Sequence, residues 1–503
     1  MTEKSIYKKI KENIDDGRLP ETFNLEKDLA PNQINFAPGA MDGIGIYHSA
    51  QANEEKIARK IGKLLRKYFK TSNVDCLNKV EAVLDENRAI SIIDLILQDF
   101  IDNQNKIDCD KAVELSYTLI KTSDSLEMVK IGIGVLGLFD LDSNTEIMET
   151  IITLGIYDDL TLYAVVAASN WANGNEIIFK IAKSVHGWGK VHAVDRLEPE
   201  TEEIREWILR EGCVGMLAEM YLGLTCAVKG NMIGELRKET ISRELFDGIA
   251  TTISSLLDEG PVAGISEYEY AEEALVHFIK HARQHSDHVE HLWRILNLRD
   301  WVLSVDGSYE EILSQINEIV EGENWSGKII FALRKRDKDY EFYYAFNAAS
   351  RLEIDISSEI FSAIKENPFK YSSYLNLIFE NPEMANEIID LYEEILPLED
   401  MSDGMGDYLF ADRLNEEHQS FGFVLSGLGL YPLKGIRLVR AGLNSRVIRE
   451  RNMACRILAD WIEKEGKSLE EILPEIHREL KGIYEIEINE ETKGNMKKLL
   501  RCR

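Results

Sequence analysis

Thr145-Glu-Ile-Met-Glu-Thr-Ile-Ile returns in outline as Asn175-Glu-Ile-Ile-Phe-Lys-Ile-Ala thirty residues on, and as Glu202-Glu-Ile-Arg-Glu-Trp-Ile-Leu after another 27. Each copy opens on polar, acidic residues and then places apolar ones at three- and four-residue steps, as an amphipathic helix does. Val135–Asp140, Val166–Trp171 and Val194–Glu200 lie between the copies, each a helix end running into a polar break. A period near thirty is that of a helix-turn-helix unit of the HEAT type, whose apolar faces are buried only by neighbouring units. The sequence therefore predicts an all-α, HEAT-like helical-repeat solenoid, clearest from about Lys111 to Val320.

Outward from this region the helical period persists, as in Leu126, Val129 and Ile133, and in Ile457, Leu458, Trp461 and Ile462. Only Lys328–Leu333 and Tyr340–Phe346 read as strands, and both also fit short helices. With only ten prolines, long helical stretches stay unbroken; Pro432 and Pro474 fall near predicted helix starts. Pro31–His48 differs: Pro31, Pro38, Gly39, Gly43 and Gly45 predict a loop without a helix. Glu399–Gly406 is a second, acidic and glycine-rich loop, and these two are the candidate boundaries. The expected organisation is residues 1–50 as an N-terminal helix and Gly/Pro-rich loop, 51–325 as HEAT-like repeats and 326–503 as further helical repeats.

The 503 residues are 45% hydrophobic and 29% charged, which excludes global disorder. No apolar run approaches the roughly 18 residues of a membrane span. Lys and Glu alternate near the N-terminus, so neither a signal nor a transit peptide is expected there. The formal charge of −30 repels nucleic acid and anionic membrane. Cys76, Cys109, Cys213, Cys226, Cys455 and Cys502 contain no CxxC pair, which predicts free thiols and a cytoplasmic location.

Four constellations carry candidate chemistry. Gly132-Ile-Gly134-Val-Leu-Gly137 is a literal GxGxxG, with Asp158 or Asp159 at the distance of a ribose ligand. No strand precedes it, and Ser125 caps a helix leading in, so close helix packing is the expected role rather than cofactor binding. The spacings of His277, His281, His285, His288 and His291 put all five within about 120° of one helix face. The first four are the candidate ligands of a transition metal such as zinc, iron or copper. The bland alternative is a largely exposed, solvated flank. His192, Asp195 and Arg196 neighbour one another on a predicted helix and are the catalytic candidates. A carboxylate beside the imidazole would raise its pKa and suit it to general base work; an inter-repeat salt-bridge network is the alternative. Lys434, Arg437, Arg440, Arg446, Arg449, Arg451 and Arg456 form a basic stretch, expected to dock on the chain's own acidic surface rather than on an anionic ligand.

Four stretches, FAPGAMDGIGIYH (36–48), GWGKVHAVDRLEP (187–199), REGC (210–213) and GIRLVRAGLNSRVIRERNMA (435–454), resemble bacterial proteins of the family named limonene hydroxylase. The similarity extends over most of the chain. It implies monooxygenation of limonene to carveol and perillyl alcohol, then dehydrogenation of those alcohols with NAD(P). The resemblance supplies no catalytic residues. In an enzyme of this kind, an apolar groove lined by Trp171, Trp188 and Trp207 is expected to hold the terpene, with a metal or nicotinamide supplying the oxidising power. The contrasting expectation is a non-enzymatic HEAT-type scaffold that binds a protein or peptide partner.

Overall fold

The computed structural model describes residues 5–25, 36–48, 54–141, 143–260, 262–306, 309–402, 404–409 and 415–501. Among them the chain forms thirty α-helices and no strand beyond isolated bridges. The protein is an all-α helical-repeat solenoid. Both segments that also read as strands are helical, lying within Trp325–Lys335 and Asp339–Arg351. None of the described helices is long and apolar enough to cross a membrane.

Contacts within the chain divide it into two units. The first contains the described residues up to Asp287, together with Arg294–Glu323; the second contains His288–Trp293 and the described residues from Asn324 onward. Residues 399–406 lie inside the second unit.

In the first unit the repeat copies become helices Thr145–Gly155, Gly174–Ala182 and Glu202–Trp207. Their starts are fixed by side chains that accept from the otherwise unbonded N–H groups of the first turn. Asn144 accepts from Ile147 N and Thr201 from Ile204 N. Cys109–Thr122, Thr145–Gly155 and Gly174–Ala182 stack as one layer. Leu126–Leu136, Asp158–Ala168, Gly187–Arg196 and Met216–Tyr221 stack as the other, and the two layers pack face to face. A continuous apolar core runs between them from Ile6 to Cys226.

One expectation fails here. Ala40–Tyr47 is a helix despite Gly43 and Gly45. Each internal glycine costs about 1 kcal/mol of helix propensity, but contacts with the solenoid override that cost. Gly39 precedes the helix at φ +77°, and its amide is held by Asp159. Residues 31–35 of the same expected loop lie outside the described residues.

The second unit is organised around a buried ion pair. Arg451, in helix Ile448–Glu465, donates from Nε to Glu487 Oε2 at 2.8 Å and from Nη2 to Oε1 at 2.9 Å. Its Nη1 donates to the carbonyls of Ser445 and Gly406 at 2.8 and 3.0 Å. Both charged side chains are fully buried. Pairing offsets their desolvation only while both are present. Arg451→Ala should therefore cost about 3–5 kcal/mol in urea unfolding followed by circular dichroism. Arg451→Met combined with Glu487→Leu should lose much less, because no lone charge is left buried.

Candidate functional site

Lys130 lies in the apolar run Met128-Val-Lys-Ile-Gly-Ile of helix Leu126–Leu136 and has no exposed surface. Its ammonium is 2.9 Å from Asp42 Oδ2 and 3.0 Å from Glu127 Oε1. Burial alone would push the Lys130 pKa down, but Asp42, Glu127 and Asp159 carry it up, so it stays charged. Tyr163 donates its hydroxyl to Asp42 Oδ2 at 3.0 Å. Glu127 also accepts from the amide of Ala89 at 2.5 Å. Asp159 Oδ1 accepts from the amide of Gly39 at 2.8 Å. One buried cation thus ties the segment around Asp42 to two helices of the second layer.

The neighbouring carboxyl does different work. Asp158 accepts from the backbone N–H groups of Gly189, His186 and Trp188, at the start of helix Gly187–Arg196. These are first-turn donors that the helix cannot satisfy itself. Burial is the largest influence on Asp158 and, despite those bonds, pushes its pKa up to about 8.

Trp188, next to this cap, is clamped by the N-terminal segment. A Cβ on Gly43 would overlap the Trp188 ring, and one on Gly39 would stand 2.8 Å from Trp188 Cβ. Tyr47 stacks over Trp188 and His192 with centroids 6.1 and 6.4 Å apart. His48 Nε2 meets the Tyr221 hydroxyl at 2.6 Å. The stretches 36–48 and 187–199, far apart in sequence, therefore form one packed seam.

Beside the seam opens a cavity of about 290 Å³. Ile46, Ile90, Ile93, Leu97, Leu162 and Val166 give it an apolar wall; Asp94, Asn170 and Arg196 give it a few polar points. Tyr163 joins the cavity to the buried charges, since its ring lines the wall while its hydroxyl is committed to Asp42. Such a lining suits a small, largely hydrocarbon molecule with one polar edge.

Gly132 and Gly134 lie inside helix Leu126–Leu136 and Gly137 caps its end. A Cβ would meet Ile120 at 2.8 Å from Gly132, Ile93 at 2.9 Å from Gly134 and Ala167 at 2.9 Å from Gly137. These glycines allow close helix packing, as expected. No strand leads into them, so they do not form the strand–turn–helix of a dinucleotide site; Gly134 and Gly137 instead line the apolar cavity. Asp158 and Asp159 hold backbone amides and do not stand at a ribose position.

His192 is buried, and neither ring nitrogen has a hydrogen-bond partner among the described residues. Burial first, then Arg196, lowers its pKa to about 4. The expected pKa rise from Asp195 is therefore overturned, because Asp195 faces Arg196 at 3.7 Å instead. Arg196 donates to the His192 carbonyl at 3.2 Å and, of these three, alone reaches the cavity. Trp171 and Trp188 are buried in the core and not on a shared groove with Trp207, which lines a separate cavity with Phe179 and Lys190, so the expected set of three is not brought together. Trp207 stacks edge-on against Phe179.

The five histidines do not share one helix, because helix Ala271–His285 ends before His288 and the next begins at Val289. Their face is not largely exposed either, since His281 and His291 are buried. In the first unit His277 lies 3.7 Å from Glu273, His281 Nε2 contacts the Leu236 carbonyl at 3.0 Å, and His285 stacks on Phe246. Three partners hold three rings apart. In the second unit His288 stacks on His291 with centroids 3.8 Å apart.

The Lys130 cluster was not among the sequence candidates. Its signal is a lysine within an apolar run, and two aspartates opening the apolar helix Asp158–Ala168. Gly43→Val should displace segment 36–48 from Trp188, giving faster proteolysis there and a red-shifted tryptophan emission. Gly45→Ala is the control, since its nearest neighbour would be 3.9 Å away. Asp158 makes stability pH-dependent. Its folded pKa of about 8 exceeds the ordinary 3.8, so its contribution is fully present below 3.8 and is lost as pH rises through 8. Asp158→Asn should flatten that part of the stability–pH curve in urea titrations. No protein-family model matches this chain, and no curated protein matches it.

Proposed function

We propose that this protein binds a small apolar molecule of monoterpene size in the cavity of its first unit. The observation that carries this reading is the cavity itself: about 290 Å³, walled by Ile46, Ile93, Leu97 and Val166, with Arg196 and Asn170 as polar points. That volume approaches the lower end, about 300 Å³, of pockets that enclose small ligands. A hydrocarbon gains roughly 25 cal/mol for each Å² it removes from water there. Limonene is the probe because the resemblance implies it as substrate. The oxidation implied with it requires electrons that side chains do not carry, so a nicotinamide or metal would have to act beside the bound molecule. The buried thiols of Cys76, Cys213, Cys226 and Cys455 agree with a reducing compartment such as the cytoplasm.

Isothermal titration of the full chain with limonene tests the reading. Wild-type protein should bind, and Val166→Trp, which fills the cavity from a partly exposed position, should weaken binding about tenfold or more without changing the thermal midpoint. Absence of binding, or equal binding by the variant, overturns the proposal. Adding NAD(P)H and air then separates the two roles: carveol or perillyl alcohol marks an enzyme, while binding without product marks a binding module.

A further inference from the structure

The basic stretch of the second unit does not meet one fate. The amide of Arg437 donates to Glu393 Oε1 at 3.0 Å, Arg440 pairs with Glu479 at 2.9 Å, and Arg451 is buried against Glu487. Arg440 and Arg451 thus neutralise the chain's own carboxylates, while the Arg437 guanidinium donates to the Glu393 carbonyl at 3.2 Å. Arg449 and Arg456 are different, being exposed and in no ion pair among the described residues. They are two turns apart on helix Ile448–Glu465, about 10.5 Å along its axis. Helix Glu490–Leu499 packs alongside and brings Lys498 to the same groove, where its ammonium donates to Asn495 Oδ1 at 3.4 Å and meets no carboxylate among the described residues. Among the described residues Glu491 is the one carboxylate in the groove wall.

The groove encloses about 910 Å³. Met453 and Leu499 give it apolar floor. Asn495 donates to Asn452 Oδ1 at 3.0 Å, so a side-chain amide pair lies between the cations. In a chain of net charge −30, cations without carboxylate partners run against the prevailing field.

We propose that this groove seats an acidic, partly apolar peptide segment of a protein partner. Three cations spread over two helices match carboxylates spaced along an extended chain better than one compact anion. The apolar floor takes side chains between those carboxylates, and amides such as Asn452 and Asn495 offer both donors and acceptors to peptide groups. A nucleic acid is disfavoured, because its phosphates would meet the repulsion of the whole acidic chain.

The test uses the full chain and a short fluorescein-labelled peptide alternating Glu and Leu, followed by fluorescence anisotropy. Its counterpart alternates Lys and Leu. Wild-type protein should bind the acidic peptide, more weakly as salt is raised, and should ignore the basic one. Arg449→Glu with Arg456→Glu should weaken acidic-peptide binding about tenfold or more and create binding of the basic peptide. Circular dichroism and the thermal midpoint verify folding, and Arg449→Gln with Arg456→Gln replaces the reversal if that variant unfolds. Failure of wild-type protein to bind the acidic peptide, or unchanged binding by a folded variant, overturns the proposal. So does equal displacement of the peptide by inorganic phosphate or by single-stranded DNA, which would make the groove a general anion site.

Discussion

An ammonium group with no access to water is the constraint on which the first unit depends. Lys130 is fully buried and must have carboxylates beside it, since an unpaired buried charge costs several kcal/mol. Glu127 comes from its own helix, but Asp42 comes from a segment that the repeat pattern does not include. The solenoid therefore does not satisfy its own interior. It becomes electrostatically complete only when residues 36–48 lie on its second layer, and Gly39, Gly43 and Trp188 shape that contact sterically.

Burial raises the pKa of both Asp158 and Asp159, but only Asp159 has the Lys130 ammonium among the groups that oppose it. At Asp158 burial dominates, Asp159 adds to it, and three backbone donors only partly oppose them. A largely protonated Asp158 at neutral pH keeps its place at the helix start without adding a full charge to the core. The same helix start carries Trp188, so the cap, the ring and the docked segment are mechanically one feature. The cavity inherits this coupling, because Ile46 belongs to the docked segment while Tyr163 is bonded to Asp42.

What the sequence disclosed follows from how local each signal is. The copies at 145, 175 and 202 show their helices because periodicity and caps are encoded within a few residues. The packing role of Gly132, Gly134 and Gly137 was legible for the same reason, since no strand precedes them. Ala40–Tyr47 was not legible: its glycines oppose a helix locally, and only distant Trp188 rewards them. His192 was misjudged because spacing to Asp195 says nothing about burial, which governs its pKa. The five histidines looked like one stripe because spacing was carried through Ser286–His288, where the helix breaks.

The basic stretch of the second unit shows how far composition reaches. A cluster of arginines in an acidic chain predicts self-pairing, and Arg440 and Arg451 do pair with carboxylates, while Arg437 meets Glu393 through its backbone amide and the Glu393 carbonyl. Composition cannot separate these from Arg449 and Arg456, because helix phase decides which carboxylates each one meets. Arg451 faces inward, where leaving its charge unmatched would be costly, and it obtains a bidentate partner together with two carbonyls. Arg449 and Arg456 face outward, where water screens them and no partner is required for folding. Their placement is therefore free of the stability constraint that fixes Arg451, which leaves them open to selection for what the groove binds.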